Sequence, residues 1–484
     1  MIRIHLESSM SNRLIIAICC IVIFALPWNT AFSSESSITA RRSDSPAKLA
    51  RKIDPIVEAA RSELKLPGVS IAIMRGHKLI FAKGYGLADR EAGVVPSAGT
   101  IYPIASLSKQ FTAAAIMKLV EERQVRLDEA VATYVPGYHV TQTPVLRIRH
   151  LLYQTSGIPE WTDLPEMQGL DTSDPGKFTF PKLIDIIGRQ TQLYPPGEWW
   201  SYSNSNYSLL AAVIERVSGK TYEQYLSETF FVPLGLRSTG SCQPDLGLPV
   251  GAKAVGYESA ADSFKLRPLS ANLARIFKGP GGLCSNAADL VSWMRALVDG
   301  RVVSAASYRQ MTTTAPVRAG FTPPYGFGLS VRPLIGQPAV WHMGVTSGFV
   351  SVLVYFPKQD LIIAALTNSR HALLQEVVKR VGRRLMNLPA PTLRDLPISA
   401  EEASRSAGNY DDAMFKFRVY ADSGKLYVDV PDLGPPVRLL YQGKHEFAEA
   451  GPWARRFWFE PAAGRAERVV WEWGEIRAYG HRAQ

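Results

Sequence analysis

The chain is poor in cysteine and has no long run of like charge and no apolar stretch of membrane-spanning length. Four cysteines among 484 residues exclude a small scaffold stapled by disulfides. Neither Cys-x-x-Cys nor His-Glu-x-x-His occurs, so zinc hydrolases of those designs lack their ligands. No serine has glycine both two residues before and two residues after it, which removes the nucleophile elbow of the α/β-hydrolases. The net charge is +11, yet the basic residues are interspersed with acidic ones and no recognition motif accompanies them. That surplus reads as a solvated basic surface, and no nucleic-acid partner is expected. No internal repeat is found.

What is present is the composition of an ordinary globular protein, 46% hydrophobic and 20% charged, with 37 glycines and 33 prolines. The length suggests about two or three domains with real cores. Near the N-terminus Arg13 precedes "LIIAICCIVIFAL", thirteen apolar residues that contain Cys19 and Cys20, then Pro27 and "NTAFSS". Charged, apolar, then small residues is the order of a secretory signal, and the run is short for a span. Residues 1–33 therefore read as a leader and the mature chain as exported, periplasmic or secreted, without a stable membrane span. The competing reading is an uncleaved anchor. Export leaves Cys242 and Cys284, which either pair or stay as two buried thiols.

Residues 34–50 read as a polar linker into a helix around Ile53–Leu64. "GVSIAIMRGHKLIFAKGYGLAD" follows as two β-rich runs joined at Arg75-Gly76-His77, a hairpin pattern. Helical stretches dominate from about 125 to 300, with turn-rich interruptions, and loops at 160–180 and 245–275 are expected to line a cleft. Strands return in "PAVWHMGVTSGFVSVLVYF" and "LIIAALTN", and "ALLQEVVKRVGRRLMN" predicts a closing helix. Strands at both chain ends with helices between predict an α+β domain over 51–388: an antiparallel sheet flanked by helices, with a helical subdomain. A linker at 389–402 and a small C-terminal β-barrel over 403–484 complete the chain. Trp458, Trp471 and Trp473 are expected mainly in the barrel core rather than on a binding face.

Three stretches carry chemistry. In "IASLSKQFTAAAIMKLVEE" Ser106 and Lys109 share a helix face, so the amine can reach the hydroxyl. Lysine is a useful base only when neutral, and burial together with the positive helix start disfavours its cation. That helix start also directs N–H groups at an oxyanion. Ser45-Pro-Ala-Lys48 has the same spacing in a segment that looks unstructured, so spacing alone decides little. "YSN" supplies Tyr202 as a proton carrier and Asn204 as an amide that binds a substrate carbonyl while fixing Lys109. "HMGVTSG" supplies His342 and Gly344, the glycine letting substrate lie against the strand edge, with the N–H of Val345 as second oxyanion donor.

In this order the three stretches resemble the serine β-lactamase and penicillin-binding superfamily. The Tyr-Ser-Asn form is similar to its class C branch of β-lactamases, D-alanyl-D-alanine carboxypeptidases, D-aminopeptidases and esterases. "LRIRHLLYQTSGIPEW", "PPGEWWSYSNSNYSLLAAVIERVSGKTYEQYL" and "GPGGLCSNAADLVSWM" extend the likeness over roughly 55–388. The tail is similar to the small lipocalin-like barrel appended to many members. The resemblance implies Ser106 as acylated nucleophile, Lys109 as base, Tyr202 as proton carrier, and Asn204, His342, Gly344 and Val345 as substrate or oxyanion groups. It implies no cofactor and no metal, and a small-molecule or peptide substrate, with cell-wall-derived compounds among the candidates. Two departures stand out. His342-Met343-Gly344 replaces the usual Lys-Thr-Gly, which lowers the expectation of efficient β-lactam hydrolysis in favour of esterase or peptidase activity. Gln154 replaces a histidine and is expected to be structural. The alternative function is a penicillin-binding or sensing protein that does not turn over.

Overall fold

The computed structural model describes residues 45–483 except 136–137, 139–144, 168–177, 244–250, 261–262, 267–270, 371–372, 391, 412–415, 431–435, 451–454, 461–463 and 474–475. The predicted leader and most of the predicted linker at 34–50 thus lie outside the described residues. Among the described residues five helices reach twelve residues: α1 (Pro46–Glu63), α2 (Ser108–Glu121), α3 (Asn204–Ser218), α4 (Ala287–Val298) and α5 (Leu374–Met386). α1 starts well before Ile53, because Ser45 caps it by accepting the N–H of Lys48 at 3.3 Å and Pro46 suits the first turn. The second Ser-x-x-Lys therefore also opens a helix, but both of its side chains are exposed.

The main sheet is built from both ends of the chain. Its strands are β1 (Gly68–Arg75), β2 (Lys78–Gly86), β3 (Ser330–Val331), β4 (Val340–Thr346), β5 (Phe349–Phe356) and β6 (Leu361–Thr367). The order is β2-β1-β6-β5-β4-β3, with every neighbour antiparallel. Side chains alternate between two cores, as the pleat requires. Ile71, Ile73, Val352, Val354, Ile363 and Ala365 pack with Ile53 and Val57 of α1 and Val377 and Val381 of α5. The intervening Ala72, Met74, Leu353, Ile362 and Ala364 pack with Phe111 of α2 and Trp293 of α4. A side chain buried this way contributes about 1.5–3 kcal/mol, which explains the near-continuous apolar sequences of β5 and β6.

The middle of the chain folds over the α2 side. Thr367 and Gly68 close the sheet end, while Tyr102–Pro103, Leu283–Ser285 and Gly240–Ser241 form a separate small antiparallel sheet in that order. Cys242 and Cys284 are paired as a disulfide across it, which resolves the alternatives left by sequence.

Beyond α5 eight antiparallel strands, from Gly408–Asp411 to Ile476–Arg482, close into a barrel through Tyr410↔Arg482. Phe417, Val419, Phe447, Phe457, Phe459 and Trp471 fill it. Trp471 belongs to that core, Trp458 is half-exposed, and the side chain of Trp473 is outside the described residues. The predicted linker at 389–402 runs into a helix, Ala400–Ser406, capped by Ser399. Its earlier part is tied to a barrel strand by Leu396 N–H donating to Tyr441 O and Arg394 N–H to Gln442 Oε1. Among the described residues no helix is long and apolar enough to cross a membrane.

Candidate active site

Ser106 stands in a tight turn, Ala105–Leu107, that runs directly into α2. Leu107 N–H donates to Ile104 O, and Ala105 adopts a left-handed conformation (φ +47°) that a side chain disfavours. The turn is forced by close packing of β4 on its outer side. A Cβ on Gly344 would sit 2.1 Å from Ile104 O and 2.9 Å from Ser106 N, and Ser351 of β5 clamps the same Ile104 carbonyl at 2.8 Å. The glycine therefore makes room for the backbone of residues 104–106, not for substrate as the sequence reading had it.

Lys109 is fully buried. Its Nζ donates to Ser106 Oγ at 3.1 Å, Asn204 Oδ1 at 2.7 Å and Pro280 O at 3.1 Å, three uncharged oxygens. The face of Tyr202 lies 4.6 Å from it and that of Tyr207 5.6 Å. An ammonium can donate all three bonds; a neutral amine can donate two and accept the serine proton without moving. One turn along α2, Thr112 Oγ1 donates to Gly279 O at 2.7 Å, so Lys109 and Thr112 together hold the Gly279-Pro280 carbonyls. Gly279 itself is left-handed (φ +92°), and a Cβ there would meet Tyr207 O at 2.1 Å. That is why "GPGG" is glycine-rich, and the sequence reading missed the Pro280 carbonyl that it delivers.

The Tyr-Ser-Asn loop is held by the segment just before it. Gln154, left-handed and buried, accepts Ser201 N–H on its carbonyl and Ser203 N–H on Oε1 at 3.1 Å. Pro159 O accepts Ser205 Oγ at 2.6 Å, and Glu160 accepts the backbone N–H of Asn204. Gln154 thus has the structural part expected for it, and Glu160 is a contact that sequence reasoning did not name.

The cleft beside Ser106 holds about 440 Å³ of open space. Asn204, Cys242, Phe277, Pro280, Leu283 and Val345 are among its walls. Of the two loops expected there, Ala274 lines it, as does Phe277 just beyond the second, while 168–177, 244–250, 261–262 and 267–270 lie outside the described residues. Val345 is exposed and pairs with Val350, next to the Thr346↔Phe349 pair that closes the hairpin at Ser347-Gly348. Antiparallel alternation then turns the Val345 N–H away from β5, toward the strand edge at the cleft. Among the described residues no group of three His, Cys, Asp or Glu side chains is arranged to hold a metal.

With this geometry in place, residues 49–385 match the family description Beta-lactamase. The chain belongs to the beta-lactamase family. PbpX of Bacillus subtilis (strain 168), which carries a penicillin-binding name, is 30% identical over 349 residues, covering 72% of this chain and 82% of that one. Protein flp of Staphylococcus aureus (strain MW2) is 28% identical over 347 residues, 70% of this chain and 66% of its own length. The octameric penicillin-binding protein homologue from Pyrococcus abyssi has the same fold, with a TM-score of 0.63, 24% identity and 89% and 99% coverage of the two chains. So does the D-amino acid amidase from Ochrobactrum anthropi SV3, with a TM-score of 0.60, 23% identity and 70% and 99% coverage.

One residue of this beta-lactamase-family site is placed otherwise than its sequence suggested. His342 is completely buried, so its ring presents nothing to a substrate. Nδ1 lies 2.6 Å from Met343 O and must carry the hydrogen, which leaves Nε2 to accept the Tyr325 hydroxyl at 2.9 Å. Burial first, and the Lys109 charge second, push its pKa down to about 3. Tyr325 in turn packs edge-on to Tyr202, 6.1 Å between centroids. His342 supports the aromatic wall behind Lys109 because β4, at that register position, points it into the core and not into the cleft.

Proposed function

We propose that this protein is an acyl-transferring serine hydrolase that cleaves uncharged esters or amides at Ser106. The carrying observation is the buried Lys109 amine within hydrogen-bond reach of Ser106 Oγ, with Asn204 and Tyr202 around it. Ser106 Oγ attacks the substrate carbonyl carbon as its proton passes to neutral Lys109 Nζ. The N–H groups of Ser106 and Val345 take the charge that builds on the carbonyl oxygen. The proton then moves, with Tyr202 as carrier, to the leaving alcohol or amine as the C–O or C–N bond breaks. Water, losing a proton to Lys109 Nζ, then hydrolyses the acyl-enzyme, and Lys109 returns that proton to Ser106 Oγ.

The neutral, buried His342 supports esterase or peptidase activity over efficient β-lactam hydrolysis. A third motif with an exposed cation would grip the carboxylate of a β-lactam, and an uncharged imidazole behind a tyrosine does not. Short esters and D-amino-acid amides are the substrates to try first, the latter because of the amidase neighbour. A panel of p-nitrophenyl esters, D-alanyl amides and peptides, and a chromogenic cephalosporin, with Ser106→Ala as blank, tests this. Equal hydrolysis by wild type and Ser106→Ala would sink the assignment; a fluorescent penicillin that labels Ser106 and never leaves would mark a binder instead. The leader-like N-terminus and the Cys242–Cys284 disulfide support export to the periplasm or beyond. Sequencing the mature N-terminus checks it.

A further inference from the structure

Glu160 follows Pro159 in the segment that holds the Tyr-Ser-Asn loop, and the catalytic scheme above does not use it. Its Oε2 accepts the backbone N–H of Asn204 at 2.5 Å. Its Oε1 lies 3.3 Å from Asn204 Nδ2 and accepts the hydroxyl of Thr162 at 3.0 Å and the N–H of Thr162 at 3.3 Å. A carboxylate only accepts, so the amide end that faces it must be nitrogen. The amide oxygen is then the end left to meet Lys109 Nζ, at 2.7 Å. Turned over, the amide would set its NH2 against the amine, donor against donor.

We propose that Glu160 is a positioning residue for the reaction at Ser106: by holding both nitrogens of Asn204 it presents the amide oxygen to Lys109 and biases where the proton of that amine rests. This rests on the reading of Ser106 as the nucleophile. The hydrogen bonds run in one sense from Lys109 through Asn204 to Glu160, so the carboxylate polarises the amide and strengthens its oxygen as an acceptor. The other groups facing Lys109 do not duplicate this. Tyr202 and Tyr207 offer ring faces, and His342 of β4 is neutral. Lys278, two residues from Pro280, pairs with Glu215 and Glu223. On the far side of Glu160, Asp163 shares the Thr162 hydroxyl at 3.3 Å. Burial raises the Glu160 carboxyl above the ordinary carboxylate range, opposed by its bonds from Asn204 and Thr162.

A carboxylate at the start of α3 also caps that helix, and capping alone would leave the chemistry untouched. The experiment separates the two. Turnover of p-nitrophenyl acetate by the full-length protein is followed across pH for wild type, Glu160→Gln and Glu160→Asp, with thermal midpoints measured in parallel. Glu160→Gln is expected to lose at least about tenfold in kcat with little change in KM. Its acid limb should move to lower pH, because without the carboxylate the Lys109 proton is held less tightly. Glu160→Asp keeps the negative charge near the start of α3 but is one methylene short of Asn204; it should still lose several-fold in kcat. Wild-type kcat and pH profile in both variants, whatever their midpoints, overturn the proposal. If Glu160→Gln does not fold, Glu160→Asp decides alone, and wild-type turnover in it overturns the proposal. Ser106→Ala runs alongside: full activity there removes the nucleophile reading itself, whereas an inactive Ser106→Ala beside unaltered Glu160 variants removes only the positioning role.

Discussion

Replacing Gly344 with alanine puts one methyl group where the structure has none to spare. The new Cβ would lie 2.1 Å from Ile104 O, 2.6 Å from Ser351 Oγ and 2.9 Å from Ser106 N. Contacts under about 3 Å do not survive, so roughly 0.9 Å must be found between β4 and the 104–106 turn. β4 cannot yield it, being paired along its length with β5. The turn must move, and it carries both the Ser106 hydroxyl and the Ser106 N–H. A displacement near 1 Å costs on the order of 10²-fold in rate, and loss of one oxyanion donor about 10²–10³-fold. The stability cost of such overpacking is about 1–3 kcal/mol. kcat/KM on the preferred ester and the rate of fluorophosphonate labelling read the first effect, and the thermal midpoint reads the second. Gly336→Ala is the control: Gly336 is left-handed (φ +74°) with nothing near its Cβ position, so it should cost stability and leave turnover intact. Turnover by Gly344→Ala within about twofold of wild type would refute the packing account, because the clash it describes leaves no smaller response.

Lys109→Arg keeps the charge but cannot shed its proton, and the acylation burst should fall by about 10²–10⁴-fold; a near-normal burst would make Tyr202 the base. His342 stays neutral in the folded protein down to about 3, while the unfolded chain protonates it near ~6.5. Stability should therefore fall as pH drops from ~6.5 toward 3, by up to about 1.4 kcal/mol per unit, and His342→Gln should flatten that part of a midpoint-against-pH curve. An unchanged slope would place the acid sensitivity elsewhere. The Cys242–Cys284 bond joins residues 42 apart, so reduction or Cys242→Ser with Cys284→Ser should cost about 4 kcal/mol by loop entropy. A thermal melt with and without reductant checks this, and identical midpoints would mean the thiols are not joined in solution.

Much of the fold was legible because its patterns are local. The hairpin at Gly76, the strands at 340–367 and the helix after 373 follow from turn residues and apolar periodicity. The start of α1 was missed by seven residues, since a serine cap followed by proline sits inside a polar stretch that reads as linker. At the start of α2 the sequence reading placed Ser106 and Lys109 on one face, and the structure buries Lys109 together with Ser108, Gln110 and Thr112. The partners of Lys109 and Thr112 lie up to 171 residues away in the chain, and no local pattern announces them.

The comparison of the two Ser-x-x-Lys sequences shows where the division falls. Spacing and helix starts are short-range properties, and Ser45–Lys48 and Ser106–Lys109 have both. Sequence by itself determined that an alcohol and an amine would share a helix face, that strands from both chain ends would form one sheet, and that glycine would stand two residues after His342. Only the tertiary structure decided that one amine would be sealed among Ser106, Asn204 and Pro280 while the other stayed in water. It alone put His342 on the core side of β4 and made Gly344 a seat for the backbone of Ile104 and Ser106. The physical reason is that burial and the direction of a side chain are set by what packs against an element, and those partners come from distant parts of the chain.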